Sequence, residues 1–82
     1  DLALADYNQA VALSPDDPNA YFSRGNGHMA KGNLELARSD FEQAIRLYPS
    51  TSPWYARALE KKAELDTKIV AAKPAPAAPV AI

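Results

Sequence analysis

The chain has 82 residues, 48% of them hydrophobic, with nine basic and ten acidic residues for a net charge of −1. This length holds one small domain, and the lack of a basic surplus argues against nucleic-acid binding. The sequence has no cysteine and one histidine, which excludes disulfides and a zinc site of Cys and His ligands, and no apolar run is long enough for membrane insertion.

The first predicted element is a helix within residues 1–15 that ends at Pro15. Proline lacks a backbone N–H and disfavours helical geometry in the residue before it. Small, aromatic and branched residues recur at steps of three and four, which is the spacing of one helix face: Ala3, Tyr7, Ala10 and Val11.

A second helix is predicted over roughly residues 18–31. Asp17 can cap its free N–H groups, and proline is favoured at the first helical position, which Pro18 would occupy. Gly32 can adopt the left-handed conformation that closes a helix. Asn33 is then expected to cap the helix that follows.

The third helix repeats the first at an offset of 34 residues. Residues 35–49 and 1–15 are identical at seven positions: Leu2/Leu36, Ala3/Ala37, Asp6/Asp40, Gln9/Gln43, Ala10/Ala44, Leu13/Leu47 and Pro15/Pro49. We interpret this as a true internal repeat. Asp6 and Asp40 occupy equivalent faces, and we expect both to be solvated.

The last predicted helix starts with a second cap-and-proline signal, Ser52-Pro53, and runs to about residue 72. The final ten residues, 73–82, contain three prolines and small side chains. We predict an extended or disordered Pro/Ala-rich tail there. A docking motif for a proline-binding domain is the alternative reading of this tail.

These features resemble the tetratricopeptide repeat (TPR), whose second helix carries Ala, an aromatic residue, Ala and then Pro at fixed spacing. The matching residues are Ala37, Phe41, Ala44 and Pro49, with Ala3, Tyr7, Ala10 and Pro15 in the earlier copy. In the repeat's first helix, the family's aromatic residue and glycine match Tyr21 and Gly25. Arg24 and His28 replace the family's usual Leu and Tyr, and we expect them to soften packing or reach the surface.

The resemblance implies an all-α fold, in which antiparallel helix-turn-helix repeats stack as a short right-handed α-solenoid of four helices. Residues 1–15 would hold the second helix of a partial repeat, 16–49 one complete repeat, 50–72 a long C-terminal capping helix and 73–82 a flexible tail. Because the chain starts inside a repeat, we interpret it as the C-terminal fragment of a longer array.

The register of the last helix stays open. An offset of 34 pairs Tyr55 with Tyr21 and Leu59 with Gly25. An offset of 33 instead pairs Trp54 with Tyr21 and Ala58 with Gly25. We favour this second register because it keeps a small side chain at the glycine position.

TPR domains are scaffolds that bind peptide or protein segments in a groove lined by the first helix of each repeat. By position, the resemblance assigns to this groove Asn19, Phe22, Asn26, Met29, Tyr55, Leu59 and Lys62. Phe22 and Met29 would offer apolar contacts, with simple packing against the next helix as an equal alternative. Asn26 would hydrogen-bond a peptide backbone, and a clamp for a C-terminal carboxylate is disfavoured because only Asn26 clearly matches it.

The alternative function is a structural element that forms a homodimer through its open N-terminal helix, using Leu2, Leu4 and Val11. Catalysis, a cofactor and a metal site are not expected, because His28 has no nucleophile or acid partner in the pattern. The absence of cysteine fits both the cytoplasm and the periplasm, and the cytoplasm is slightly favoured.

Overall fold

The computed structural model describes residues 2–72, which form four helices: α1 (Leu2–Leu13), α2 (Pro18–Ala30), α3 (Leu34–Leu47) and α4 (Pro53–Ala72). The all-α, helical-repeat prediction is confirmed. Residue 1 and the predicted tail at 73–82 lie outside the described residues. Within the described part, no helix combines the length and apolar content needed to cross a membrane.

Local capping signals set most of the helix ends. The Asp17 carboxylate accepts a hydrogen bond from the backbone N–H of Asn19 at 2.9 Å, next to the proline that begins α2. Gly32 has φ +82° and closes that helix. The Ser52 hydroxyl accepts from the backbone N–H of Trp54 at 3.1 Å and so caps α4.

The predicted cap at Asn33 is wrong. Asn33 stands at the N-cap position just before α3, but its side chain makes no capping hydrogen bond. Its backbone has φ −83° and ψ 73°, whereas Asp17 has the extended geometry, φ −92° and ψ 110°, that aims a side chain at the helix. The turn at Gly32 therefore leaves Asn33 in a backbone conformation from which its side chain does not cap α3.

The helices pack in chain order, α1 on α2, α2 on α3 and α3 on α4. The strip of α3 that faces the core is the most completely buried part: Ala37, Phe41 and Ala44 have no exposed surface. Small residues allow the close approach, since a Cβ at Gly25 would lie 3.0 Å from the Phe41 ring. By contrast, α1 contributes no buried residue.

The burial pattern of α4 follows neither predicted register throughout. Ala58 is fully buried whereas Leu59 is 42% exposed, as the offset of 33 requires. Trp54, however, is 47% exposed, and Tyr55 packs against the cluster that contains Tyr21, as the offset of 34 requires. Because α4 is packed chiefly against α3, its buried face need not copy that of α2.

A buried ion pair joins α2 to α3 and corrects the expectation that Asp40 is solvated. Arg24 donates from Nε to Asp40 Oδ2 at 2.9 Å and from Nη2 to Oδ1 at 2.7 Å, and Asp40 is 4% exposed. Asp6, at the equivalent position of α1, is exposed as expected. The two aspartates differ because only Asp40 faces an arginine on a covering helix.

Arg24 and His28 therefore pack inside the repeat and do not reach freely into solvent. Both are half-buried, with His28 Nε2 3.7 Å from Asp40 Oδ2, and Arg24 also donates to Asn8 Oδ1 at 3.2 Å. The hydrogen bond to Asp40 is the main cause that raises the pKa of Arg24 above its usual value. Arg24, which stands where the family usually has leucine, thus connects α2 to both α1 and α3 by polar contacts.

Candidate functional site

The exposed face of α2 carries the first four residues of the predicted groove, spaced at steps of three and four: Asn19, Phe22, Asn26 and Met29. Asn19 and Asn26 are exposed, and the other two are half-buried. The Tyr48 hydroxyl donates to Asn19 Oδ1 at 2.6 Å, so the Asn19 amide group still has N–H donors to offer. Burial, followed by the charge of Asp17, raises the pKa of Tyr48.

Phe22 lies among three aromatic rings and is a packing residue as much as a surface one. Its ring centroid is 5.3 Å from that of Phe41, 6.4 Å from that of Tyr48 and 5.7 Å from that of Trp54, each in an edge-to-face arrangement. Met29 packs against the buried cluster of Ala37, Phe41 and Leu65. Both predicted roles, apolar surface and core packing, are compatible with this half-burial.

Trp54 of α4 contacts Phe22 on the exposed face of α2, and the groove prediction from the sequence did not include it. It is 47% exposed, and the Arg57 guanidinium lies 5.6 Å from its ring centroid. Tryptophan and arginine are both enriched at the hot spots of protein-binding interfaces. The available signal was that the chain's one tryptophan directly follows Pro53 at the start of α4.

The remaining groove residues lie elsewhere on α4. Tyr55 is half-buried against the cluster of Tyr21, Ala44, Tyr48 and Ala58. Leu59 and Lys62 line a cleft of about 270 Å³ between α3 and α4, together with Glu42, Ile45 and Arg46. We call this the α3–α4 cleft. It is a different surface from the Phe22–Trp54 contact between α2 and α4.

Ion pairs surround one side of the α3–α4 cleft. Lys62 Nζ lies 3.1 Å from Asp66 Oδ2 and 4.0 Å from Glu42 Oε2. The hydrogen bond from Lys62 lowers the pKa of Asp66 below its usual 3.8, and the nearby charge of Arg38 adds to the effect. Lys62 is therefore engaged within the fold, whereas the half-exposed Leu59 offers apolar surface.

The three residues of the predicted dimer face do not share one environment. Leu2 is 85% exposed, whereas Leu4 lies against Gly27 of α2, where an added Cβ would be 3.0 Å from it. Val11 is half-buried against the cluster that contains Tyr21 and Tyr48. Leu36, the repeat equivalent of Leu2, is exposed as well, at 55%. This position is therefore exposed in both copies of the repeat.

Among the described residues, no group of three or more His, Cys, Asp or Glu side chains is arranged to hold a metal ion. The chemistry that the surface offers is apolar, aromatic and amide contact. This is the chemistry of protein recognition, with its specificity carried by hydrogen bonds from side-chain amides.

The paired helices, their buried small residues and their 34-residue period define a tetratricopeptide-repeat protein. A TPR repeat family model matches residues 1–32, and a tetratricopeptide repeat model matches residues 18–51. Residues 1–51 therefore consist of tetratricopeptide repeats. TPR repeats generally mediate protein–protein interactions and are typically non-catalytic.

The chain is similar to peptidyl-prolyl cis-trans isomerase FKBP4 from Bos taurus and from Homo sapiens, with 38% identity over 48 residues in each case. It is also 40% identical over 63 residues to the TPR repeat-containing thioredoxin TTL4 from Arabidopsis thaliana. These matches cover 58% and 77% of this chain but about a tenth of the relatives, namely 10% and 9%. No solved structure was found to match the chain.

Proposed function

We propose that the chain is a non-catalytic interaction module that binds a peptide or protein segment along the exposed face of α2. The observation that supports this most is the half-exposed Trp54, set edge-on to Phe22, which lies between Asn19 and Asn26 along the same face of α2. Asn19 and Asn26 lie on the same α2 face and are exposed. An apolar anchor next to amide groups suits an extended segment, whose backbone needs hydrogen bonds.

Each residue has a defined role in this proposal. Trp54 and Phe22 form the apolar anchor, and Met29 extends it with a side chain that adapts to different partners. Asn26 hydrogen-bonds the partner's backbone, and Asn19 contributes its amide N–H groups. Leu59 and Lys62 line the separate α3–α4 cleft, and Tyr55 packs in the core, so these three predicted residues would contact only a partner that extends past α2.

The test is to select binders to the 82-residue chain from a random peptide library and to measure their affinities for variants. Trp54→Ala should weaken binding about 30-fold, as expected for a hot-spot aromatic residue. Asn26→Ala should weaken it about fivefold, as expected for one hydrogen bond. Phe22 is left intact, because its three ring contacts make Phe22→Ala a folding variant as well.

Asn33→Ala is the matched control, because it removes an exposed amide at the start of α3 that makes no capping bond. Its affinity should stay within about twofold of wild type. Far-UV circular dichroism would check that each variant keeps its helical content. If Trp54→Ala and Asn26→Ala bound the selected peptides as tightly as wild type, the α2 face would be the wrong site.

The alternative is a structural element that self-associates through α1. The observation in its favour is the exposure of two leucines on that helix, Leu2 at 85% and Leu13 at 75%. A symmetric homodimer through Leu2, Leu4 and Val11 has less free apolar surface than predicted, since the last two already contact α2. If this dimer forms, the measured mass should rise from that of one chain to that of two as the concentration increases. Leu2→Lys should then keep the mass at that of one chain.

A further inference from the structure

Helices α2 and α4 both pack on α3 and run in the same direction. Near their starts, the ring centroids of Phe22 and Trp54 lie 5.7 Å apart. Further along, Met29 of α2 packs against the buried cluster that includes Leu65 of α4. The stretch of α4 from Trp54 to Leu65 therefore lies alongside the stretch of α2 from Phe22 to Met29, which contains the exposed Asn26.

Two basic side chains of α4 lie along this stretch. Arg57 and Lys61 follow Trp54 at steps of three and then four residues, so the three side chains share one side of the helix. Arg57 is exposed, and its guanidinium lies 5.6 Å from the Trp54 ring centroid. Lys61 is half-buried and precedes the buried Leu65 by about one turn. Both cations are thus close to the apolar anchor of the proposed binding face.

No carboxylate of the described residues neutralises these two cations. Within residues 2–72, neither Arg57 nor Lys61 forms an ion pair. The other two lysines of α4 each pair with an acidic residue four positions away: Lys62 with Asp66 and Lys68 with Glu64. Helix α2 offers no partner either, because residues 18–30 contain neither Asp nor Glu. Although the chain has a net charge of −1, this part of its surface is positive.

A carboxylate lies at the opposite end of the α2 face. Asp17 accepts a hydrogen bond from the backbone N–H of Asn19 at 2.9 Å, where α2 begins. A bound segment with an acidic side chain would be repelled there and attracted to Arg57 and Lys61. Residues 73–82 contain neither Asp nor Glu, so that segment of the chain has no acidic side chain to place beside these cations.

We propose that the segment bound on the α2 face is acidic, with an apolar residue against Trp54 and the side-chain carboxylate of an Asp or Glu between Arg57 and Lys61. This inference rests on the proposed binding function and adds the chemistry of the partner. The Arg57 guanidinium can donate two parallel hydrogen bonds to a carboxylate, and salt screens the half-buried Lys61 less than an exposed lysine. Two cations suit one or two carboxylates better than the run of phosphates in a nucleic acid.

The test uses peptides selected from a random library on the intact 82-residue chain and synthesised with amidated C-termini, so that only side chains carry carboxylates. The selected sequences should contain Asp and Glu more often than the starting library. The double variant Arg57→Gln with Lys61→Gln should weaken their binding about tenfold. Replacing the acidic residue of the peptide by its amide should cost about tenfold on wild type and less than about twofold on the double variant.

Lys62→Gln is the matched control, because it makes the same change at the neighbouring residue, which lies in the α3–α4 cleft and pairs with Asp66. Its affinity for the selected peptides should stay within about twofold of wild type. Far-UV circular dichroism would check that both variants keep their helical content. A loss equal to that of the double variant would show that the total charge of the chain attracts the peptide, which overturns the proposal.

Trp54→Ala separates failure of this inference from failure of the proposed function. If the peptides need Trp54 but lack acidic residues, or bind the double variant as tightly as wild type, the site is correct and the acidic partner is wrong. If Trp54→Ala has no effect, or if the library yields no binding peptide, both proposals fail.

Two other sources of negative charge are tested with the same chain. A peptide with a free C-terminus could regain the affinity lost with its acidic residue, which would mean that the chain recognises a terminal carboxylate. An oligothymidylate could bind more tightly than the selected peptides, which would mean that it recognises a nucleic acid. Either result would overturn the assignment of an acidic side chain.

Discussion

Replacing Arg24 with methionine should remove a large part of the stability of the fold. The substitution strips two charge-assisted hydrogen bonds, of 2.9 Å and 2.7 Å, from Asp40, which is 4% exposed. Removing one partner of a buried pair costs about 3–5 kcal/mol. Because the Arg24 side chain is 23% exposed, we expect about 3 kcal/mol, near the lower end of that range. A single core of this size rarely supplies a free energy of unfolding above about 3–5 kcal/mol, so the variant should be partly unfolded at room temperature.

Urea unfolding followed by far-UV circular dichroism measures this cost. The double variant Arg24→Met with Asp40→Leu removes both charges and should lie within about 1 kcal/mol of wild type, because no unpaired carboxylate remains buried. Arg38→Met is the matched control, since Arg38 pairs with Glu42 and Asp66 but its side chain is 44% exposed. An exposed pair of this kind contributes less than about 1 kcal/mol.

Two results would contradict this reasoning. Equal losses in Arg24→Met and Arg38→Met would mean that burial of the pair does not determine its effect. A double variant as unstable as Arg24→Met would mean that the cost is lost packing of the arginine chain and not an uncompensated Asp40 charge.

Three further predictions concern the same fold. Gly25→Ala should lower the unfolding free energy by about 1–2 kcal/mol, because the added Cβ would meet the buried Phe41 ring at 3.0 Å. Gly27→Ala should be nearly neutral, because the residues it would meet lie on the less buried α1 and because alanine favours the helix. In urea unfolding, Asp17→Ala should cost about 1 kcal/mol and Asn33→Ala only a few tenths, since only Asp17 makes a capping bond. By NMR titration the pKa of Asp66 should lie below 3.8 and move toward it in high salt. Its contribution to stability should be present above pH 3.8 and be lost as the pH falls through the lowered folded-state pKa.

The helices and their repeat were predictable because their signals are local. A proline, a capping carboxylate and a glycine each act within a few residues, and the predicted ends at Pro15, Pro18 and Gly32 agree with the structure. The spacing of small and aromatic residues likewise identified the buried strip of α3. These features depend on which residues share a helix face, and the spacing of residue types along the sequence shows this directly.

The placement of α4 was not predictable in the same way. Its sequence fits two registers, and the observed burial of Ala58 and Tyr55 satisfies a part of each. As a result, Trp54 contacts the α2 face, and the predicted Leu59 and Lys62 line the α3–α4 cleft. Helical spacing shows which side chains lie together, but the neighbouring helix decides whether that face becomes core, groove or cleft.

The sequence by itself determined four helices, their boundaries to within a few residues and a repeat period typical of protein-binding scaffolds. Only the tertiary structure decided that Asp40 is paired while Asp6 is exposed, although the two occupy equivalent positions in the repeat. The physical reason is that burial changes the cost of a charge. A carboxylate in water needs no partner, whereas one covered by a helix is stable only beside a cation, here Arg24.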